Sequence, residues 1–288
     1  MPNSSSKFKY TLFADDSTLS YSFDPRSDLV IAAEVINAEM SKIYNWLLVN
    51  KIRINVDKTN YMLFNFNQRT DFPSIHIGNS TISQINKTKF LGVIFDDGLK
   101  FNFHTNHTAS RVSRTVGLLN RLKHFLPVET MLRLHDSLVM PYLLYAIEIW
   151  GGTSYCHLDR VVKAQKSALR SANNLPYNSH TSPIFKHLGI LKLPDLYRFR
   201  ILIMMFKAIY FNTDVHFFNY LSCHSDLHLY STRNCNNLII PYYRRTKSQM
   251  CISYTGPKLW NALPTSLKNC TSLKVFKISL KKHIIDQY

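Results

Sequence analysis

Two adjacent aspartates near the start of the chain are the residues best suited to chemistry. Asp15 and Asp16 lie between two runs of alternating apolar residues, which predict a β-hairpin with both carboxylates at its tip. Carboxylates this close repel each other unless a cation compensates, and hard oxygen atoms are the ligands that Mg²⁺ prefers. The pair therefore indicates a metal site, with a simple aspartate-rich turn as the alternative.

Cationic helical faces form the second candidate site. From Leu158 to Asn174 the residues follow helical spacing, with four cations opposite the apolar stripe and Asp159 expected in the first turn. Another predicted helix, which ends at Pro127, repeats the arrangement. Such faces suit contact with a phosphate backbone, and the alternative is the solvated face of a basic protein. The candidate contacts are Arg160, Lys163, Lys166 and Arg170 on one helix and Arg111, Arg114 and Arg121 on the other.

The elements that must position the aspartates form an α+β pattern. Apolar residues at helical spacing run from Leu29 to Leu47, after the hairpin. Three β-prone segments follow at residues 52–66, 75–82 and 90–95, and the middle one contains Gly78-Asn79 as a two-residue turn. A hairpin, a helix and further strands predict a sheet layered with helices.

From about residue 103 the apolar period becomes helical. The predicted helices cover residues 112–126, 131–149, 158–174 and 195–211, with a kink at Pro141 and full burial of the last. Short β-prone segments at 238–243 and 250–254 precede a final helix. The inward residues of that helix are Leu273, Phe276, Leu280 and Ile284. The second part of the chain is therefore predicted to be mostly helical.

Charge is distributed unevenly along the chain. Residues 1–100 contain 11 Lys and Arg against 10 Asp and Glu, whereas the remaining 188 contain 24 against 8. The strongly basic second part predicts a polyanionic partner, nucleic acid before an anionic membrane. With 45% hydrophobic and 18% charged residues, the composition is that of a globular chain and excludes a disordered one.

Several sequence features bear on location and partners. No apolar run reaches the roughly 20 residues that a spanning helix needs, and the first residues lack the apolar segment of a signal peptide. Five scattered cysteines indicate reduced thiols. We expect a soluble intracellular protein, nuclear or cytoplasmic. The aromatic residues mostly follow the core stripes, so the sequence assigns no ring to base stacking.

Three motifs carry a resemblance to a known family. The segment Leu12-Phe13-Ala14-Asp15-Asp16-Ser17-Thr18 resembles the aspartate box of reverse transcriptases, in the form found in non-LTR retrotransposons of the jockey and CR1 type. Asn55-Val56-Asp57-Lys58-Thr59 and Lys89-Phe90-Leu91-Gly92-Val93 resemble the motifs that follow it. Later segments at 120–123, 141–145, 150–151 and 256–264 are similar to stretches that the family carries after the palm, in the same order.

The resemblance implies an RNA-directed DNA polymerase made of three regions. These are a partial palm over residues 1–100, a helical thumb or connection over 101–212, and a mixed C-terminal tail over 213–288. The implied partners are an RNA template, a DNA primer and dNTPs. No membrane or other small-molecule substrate is implied.

The resemblance also implies roles for individual residues. Asp15 and Asp16 would hold Mg²⁺ for phosphoryl transfer if missing segments complete the site. Lys58 would approach the triphosphate or protonate the leaving pyrophosphate. For Lys58 the alternative is a solvated turn lysine. The implied primer-end contacts are Phe90, Leu91 and Gly92, for which the alternative is an ordinary buried strand.

The family takes a further catalytic aspartate from an earlier strand of the palm. Residues 1–12 contain no acidic residue, and Met1-Pro2 resembles the end of the segment that precedes the family's aspartate box. We therefore expect this chain to be the C-terminal part of a reverse transcriptase that does not polymerise by itself. The alternatives are a non-catalytic nucleic-acid-binding remnant and a non-functional truncated product.

Overall fold

The computed structural model describes residues 5–24, 27–64, 72–211, 221–223 and 237–288. The chain divides into two compact units, residues 1–99 (unit 1) and residues 100–288 (unit 2). Unit 1 combines short strands with one long helix, and unit 2 is mostly helical. The predicted α+β class is therefore confirmed.

Unit 1 contains one helix and small sheets. Its elements are β1 (Lys9–Phe13), β2 (Asp16–Ser20), α1 (Leu29–Val49), β3 (Asn60–Tyr61), β4 (Ile75–Ile77), β5 (Ser80–Gln84), β6 (Lys87–Phe90) and β7 (Val93–Asp96). Strands β1 and β2 form one antiparallel pair, and β6 and β7 form another. Strand β5 pairs antiparallel with β4 and parallel with β3. Each sheet is small, and α1 supplies half of the buried core cluster of this unit.

Helix α1 forms the centre of the unit 1 core, as its apolar spacing predicts. The carboxylate of Asp28 caps its first turn by accepting from the Val30 amide. Ile36, Met40 and Ile43 are buried against Phe8 and the isoleucines of β4 and β5. The side chain of Asn37 also bonds to the backbone of Ser74 and His76, which fixes β4 on the helix.

The predicted strands after α1 are only partly correct. The hairpin at 75–82 is confirmed, and Gly78 has a φ of +56° in its turn. Over 52–66 the structure has a 3₁₀ turn and the two-residue β3, while residues 65–71 lie outside the described part. The single strand predicted at 90–95 is wrong, because Leu91 and Gly92 form a tight turn between β6 and β7.

Unit 2 is built from helices. They are α2 (Asn102–Leu122), α3 (Val128–Leu138), α4 (Met140–Leu144), α5 (Ile147–Trp150), α6 (Tyr155–Ala172), α7 (Ser182–Leu188), α8 (Leu193–Phe211), α9 (Ile252–Asn261), α10 (Thr265–Lys268) and α11 (Leu273–Ile285). The predicted helix at 131–149 is broken into α3, α4 and α5 rather than kinked. Pro141 is the second residue of α4, and Ala146 has a φ of +50° before α5, so one continuous helix does not form.

The later part of unit 2 packs around α8. Phe206 of α8 stacks on Phe276 of α11 with ring centroids 4.3 Å apart. The end of α8 corrects the prediction of full burial, because Tyr210 and Phe211 are about half exposed. The inward residues predicted for α11 are confirmed for Phe276, Leu280 and Ile284.

The β-prone segments predicted before α11 are mostly wrong. Leu238 makes one isolated bridge to Cys223, whereas residues 252–261 form α9. This helix contains Gly256 and Pro257 in its interior. A Cβ on Gly256 would lie 2.7 Å from the Met205 sulfur, so α9 approaches α8 closely at this glycine. Packing on α8 therefore outweighs the local β-propensity.

None of the helices in the described residues is long and apolar enough to cross a membrane. Likewise, no disulfide joins the cysteines that the structure describes.

Candidate metal-binding hairpin and nucleic-acid interface

The two aspartates lie at the tip of the first hairpin. Strands β1 and β2 pair from Lys9 opposite Ser20 to Phe13 opposite Asp16, which leaves Ala14 and Asp15 as a two-residue loop. Ala14 has a φ of +52°, a left-handed conformation that is costly for a residue with a side chain. The hairpin predicted from the alternating pattern is confirmed.

The base of this hairpin is anchored, and its tip is exposed. Phe8 is buried in the unit 1 core, with Tyr10 and Leu19 packed against that core. Towards the tip, Leu12 and Phe13 are 51% and 59% exposed. Core packing thus fixes the strands and leaves the loop accessible to a ligand.

The donor chemistry of the tip fits a divalent cation in part. Asp15 and Asp16 are both exposed, and within the described residues no hydrogen bond or ion pair is formed by either carboxylate. Adjacent acidic side chains offer the hard oxygen donors that Mg²⁺ binds. Across the same described residues, no group of three or more Asp, Glu, His or Cys side chains could hold a metal ion. The hairpin therefore contributes two carboxylates.

A second pair of adjacent aspartates, Asp96 and Asp97, does not form an exposed hairpin tip. Asp96 is the last residue of β7, lies opposite Lys87 and is buried, whereas Asp97 is exposed. The backbone carbonyl of Asp96 accepts from the Leu99 amide in the following turn. These two carboxylates occupy different environments, so only Asp15 and Asp16 form an accessible pair in the described residues.

The segment Asn55-Val56-Asp57-Lys58-Thr59 forms a self-capped turn. The Asn55 side chain accepts from the Lys58 amide at 3.2 Å, and the Thr59 hydroxyl donates to the Asn55 carbonyl at 2.8 Å. Asn55 and Thr59 thus have a structural role in this motif. Lys58 is exposed on the turn. Its placement is compatible with both predicted readings, ligand contact and a solvated lysine.

The predicted primer-end residues lie at a hairpin tip and not within a buried strand. Leu91 and Gly92 have φ values of +43° and +84°, the two positive values of a tight hairpin turn. Phe90 is half-buried, and its ring packs edge-on against the ring of Phe95, with the two ring centroids 6.3 Å apart. Gly92 is exposed and carries no side chain. Another molecule can therefore approach this backbone closely.

Helices α2 and α6 form a tightly packed parallel pair. The Thr153 hydroxyl before α6 donates to the Lys100 carbonyl before α2 at 2.7 Å. One turn into each helix, the Arg160 guanidinium donates to the Asn106 side chain at 2.8 Å. The two helices thus run in the same direction with matched starts, and their apolar stripes are buried.

The four cations predicted on α6 all lie outside its buried face, but they differ in their contacts. Arg160 and Lys163 are exposed, while Lys166 and Arg170 are half-buried. Lys163 pairs with Asp159 at 2.6 Å, and this hydrogen bond raises the pKa of the lysine. Because α6 begins at Tyr155, Asp159 lies in the second turn, and its predicted position in the first turn is wrong.

Lys166 lies at a small cavity beside this face. The cavity has a volume of about 160 Å³ and is bordered by α6, α7 and the start of α8. Gln165 also lines the cavity, and its side chain donates to the Leu191 carbonyl and accepts from the Leu193 amide. Gln165 therefore ties the cationic helix to α8.

The three arginines predicted on α2 are exposed along its outer face. The guanidinium groups of Arg111, Arg114 and Arg121 make no ion pair or hydrogen bond with any residue that the structure describes. They are thus available to an anionic partner. The opposite face of the helix is buried through Val112, Val116 and Leu119, as the apolar spacing predicts.

Helix α11 carries a further cationic face that was not predicted from the sequence. Lys274, Lys277 and Lys281 recur at helical spacing and are exposed, opposite the buried Phe276 and Leu280. The sequence could have indicated this face in the same way as that of α6, because apolar residues and cations each recur at helical spacing on opposite sides of the helix. It offers an independent surface on which the effect of net charge can be measured.

A buried histidine stabilises the start of α2. His104 lies in the first turn, is 4% exposed, and its ring contacts Trp150 edge-on at 5.4 Å. Burial lowers the pKa of His104 to about 4, with a further contribution from His107. The neutral imidazole is therefore the form that this packing favours.

Known proteins provide an independent comparison. The chain is 25% identical over 173 residues to the RNA-directed DNA polymerase from mobile element jockey of Drosophila funebris, which covers 59% of this chain and 19% of the relative. It is 28% identical over 188 residues to the probable RNA-directed DNA polymerase from transposon X-element of Drosophila melanogaster, covering 64% of this chain and 20% of the relative. No family model and no solved structure matches it.

The chain spans about a fifth of the length of the curated relatives it matches. All of the relatives named above are polymerases of mobile elements, as the motifs at residues 12–18, 55–59 and 89–93 predict. The chain is therefore related to the RNA-directed DNA polymerases of jockey-type non-LTR retrotransposons.

Proposed function

We propose that this chain is the palm-and-thumb part of an RNA-directed DNA polymerase. Unit 1 corresponds to part of the palm, and the helices of unit 2 correspond to the thumb and the tail. The observation that carries the proposal is the anchored hairpin with Asp15 and Asp16 exposed at its tip. Its motif is the one by which the sequence resembles reverse transcriptases.

Each part of unit 1 then has a chemical role. Asp15 and Asp16 would hold Mg²⁺, which lowers the barrier to phosphoryl transfer by stabilising charge on the reacting oxygens. Lys58 is presented by its self-capped turn to the triphosphate or the leaving pyrophosphate. The Leu91–Gly92 tip contacts the primer end through a backbone that no side chain shields at Gly92.

The paired helices of unit 2 hold the template–primer duplex. Arg111, Arg114 and Arg121 offer unpaired guanidinium groups among the described residues, and α6 adds the exposed Arg160 and Lys163. The half-buried Lys166 and Arg170 complete this surface. Because such contacts release counterions from the phosphate backbone, binding must weaken steeply as salt rises.

We further propose that the 288 residues do not polymerise by themselves. Two carboxylates can bind one cation but are fewer than the two-metal reaction uses, so polymerisation requires a segment that supplies another aspartate. A primer-extension assay tests both statements. With Mg²⁺ or Mn²⁺ we expect no incorporation by the purified chain, and template-dependent extension by it would refute this proposal.

Complementation tests the proposed role of the aspartates. The upstream part of the jockey polymerase, added in trans or fused, is expected to yield RNA-templated synthesis that Asp15→Asn and Asp16→Asn abolish. Asp97→Asn is the matched control, since it removes an exposed aspartate from the other pair. Synthesis that persists in the Asp15→Asn/Asp16→Asn double variant would contradict the proposed metal site.

The interface is tested by the salt dependence of duplex binding. Substituting Arg160, Lys163 and Arg170 together with Gln should weaken binding to an RNA–DNA duplex. The slope of log Kd against log salt should also fall, by about one for each phosphate that the variant no longer neutralises. Substituting Lys274, Lys277 and Lys281 of α11 removes the same charge and serves as the control. Equal effects of the two triple variants would indicate net charge alone.

A non-catalytic nucleic-acid-binding module is the second candidate function. The uncompensated arginines of α2 favour it, because they need no metal site to bind a phosphate backbone. Salt-sensitive duplex binding without synthesis, even after the upstream part is added, would support this candidate over the polymerase.

A further inference from the structure

An exposed tyrosine follows the cationic helix α6. Tyr177 is 89% exposed although the backbone around it is well bonded. The helix ends in a Schellman motif, in which Asn174 has a φ of +52° and the Leu175 amide donates to the Arg170 carbonyl. The Ser179 amide then donates to the Pro176 carbonyl, which closes a turn with Tyr177 at its first central position.

Arg170 ties this turn to α6. Its Nε donates to the Ser179 carbonyl at 2.8 Å, across the loop that carries Tyr177. The backbone that carries the ring is thus fixed, and the Arg170 guanidinium is bonded to the same turn. A residue presented in this way loses little conformational entropy when it binds a planar ligand.

A second exposed ring follows α2. Phe125 is 83% exposed, and its amide donates to the Leu122 carbonyl at 2.9 Å in the short connection to α3. Because α2 and α6 run parallel with matched starts and have similar lengths, both rings lie beyond the same end of the helix pair.

The charge of the segments that contain the two rings indicates the class of ligand. No acidic residue occurs between Gly98 and Val128, or between Arg160 and Pro194. Each aromatic ring therefore follows a run of cations that no carboxylate interrupts. Cationic surfaces with exposed aromatic rings are the combination that binds single-stranded nucleic acid, because bases stack on the rings while the backbone follows the charge.

We propose that Tyr177 and Phe125 form a stacking site for unpaired bases at this end of the α2–α6 pair, with Arg170 as the positioning residue of Tyr177. The proposal rests on the nucleic-acid interface proposed above and adds a ligand that the phosphate contacts do not specify. The site would hold a strand where it leaves the duplex.

Fluorescence anisotropy with a single-stranded RNA that carries 2-aminopurine tests this site. Tyr177→Ala and Phe125→Ala should each weaken binding roughly 5- to 150-fold, the range expected for loss of one stacked base. Both should keep the salt dependence of the wild-type chain. Tyr177→Phe, which keeps the ring, should bind as the wild-type chain does. Tyr242→Ala is the matched control, because Tyr242 is equally exposed at 89% and lies in another segment.

The quenching of 2-aminopurine fluorescence at saturating protein distinguishes a residue that positions the Tyr177 ring from a residue that contacts phosphate. Stacking on an aromatic ring quenches the fluorophore, so Tyr177→Ala should reduce the quenching. Arg170→Gln should reduce it as well, whereas Arg114→Gln should weaken binding and leave the quenching at saturation unchanged. Quenching that Arg170→Gln leaves intact would overturn the role of Arg170.

The outcomes distinguish this site from the interface on which it rests. If both alanine variants bind RNA as the wild-type chain does, while Arg114→Gln and Arg121→Gln weaken binding, the stacking site is wrong and the interface stands. If the wild-type chain does not bind RNA, both are wrong. Loss of binding to anionic vesicles without loss of RNA binding would instead assign the rings to a membrane and overturn the proposal.

Discussion

The two units present their candidate functional residues in opposite ways. Unit 1 contains as many acidic as basic residues and exposes its candidate groups on tight turns, at Asp15, Lys58 and Gly92. Unit 2 carries the net charge of +17 and exposes its candidate groups on the faces of long helices. The first arrangement concentrates a few groups at defined points, as a metal site requires. The second spreads charge along a line, as a phosphate backbone requires.

The candidate sites of the two units also differ in the interactions that stabilise them. The turns of unit 1 depend on single residues, such as the cap of Asn55 and the left-handed Ala14. The helix faces of unit 2 depend on a shared core that includes Trp150. Substitutions should therefore act locally in unit 1 and over the whole interface in unit 2.

The largest effect is expected from the core of unit 2. Trp150 is fully buried, and its indole donates to the Tyr145 carbonyl at 2.9 Å. Trp150→Ala should lower the free energy of unfolding by about 3–5 kcal/mol through the cavity that it leaves. Chemical denaturation measures this loss, and Ile149→Ala, at a half-exposed neighbour, is the control. A decrease in the free energy of unfolding below about 1 kcal/mol would contradict the shared core of unit 2.

A smaller effect is expected from acidification. The pKa of His104 is about 4 in the folded chain, below its ordinary value of about 6.5, so the unfolded chain binds the proton first as the pH falls. Stability should be full above about pH 6.5 and decrease towards pH 4, by about 1–2 kcal/mol at pH 5. Urea unfolding at pH 7 and pH 5 measures the decrease.

His104→Gln should flatten this pH dependence, because the substituted side chain does not titrate. His124→Gln, which also removes one histidine but at an exposed position, is the matched control. An equal decrease in the His104→Gln variant would show that other groups cause the loss.

In unit 1 the cap of the lysine turn is the next most sensitive point. Asn55→Ala removes the acceptor of the Lys58 amide and should destabilise the turn by about 1 kcal/mol. Amide exchange at Lys58 measures the change, which should not spread to α6. Lys58→Ala keeps the cap and should leave exchange at this position nearly unchanged.

The smallest effect is expected at the aspartate hairpin. Ala14→Gly should stabilise the hairpin by up to about 1 kcal/mol, because glycine adopts a φ of +52° without steric cost. Ala14→Val should destabilise it. Thermal unfolding of the two variants should therefore shift in opposite directions, and equal shifts would contradict the left-handed turn.

Sequence patterns predict the helix faces better than the turns, for a physical reason. Helical spacing repeats over five turns of α2 and α6, so the buried and cationic faces can be assigned from many residues at once. The Leu91–Gly92 turn depends on two backbone angles within an apolar run, and that run by itself predicts a strand. The break at Pro141 and the helix around Gly256 likewise depend on packing with other helices.

The residues of the candidate sites also differ in whether the sequence predicts their positions. The hairpin around Asp15 and Asp16 could be predicted because its polar tip interrupts two apolar patterns. The burial of Asp96 and the exposure of Tyr177 could not, since both follow from how the backbone folds around them and not from residue type.

The central claim is that Asp15 and Asp16 bind a divalent cation. The most direct test is Mn²⁺-induced broadening of backbone amide resonances in the 288-residue chain. We predict broadening centred on residues 14–17 that the Asp15→Asn/Asp16→Asn double variant removes and Asp97→Asn retains. Broadening that is absent from this tip, or that survives in the double variant, would contradict the claim.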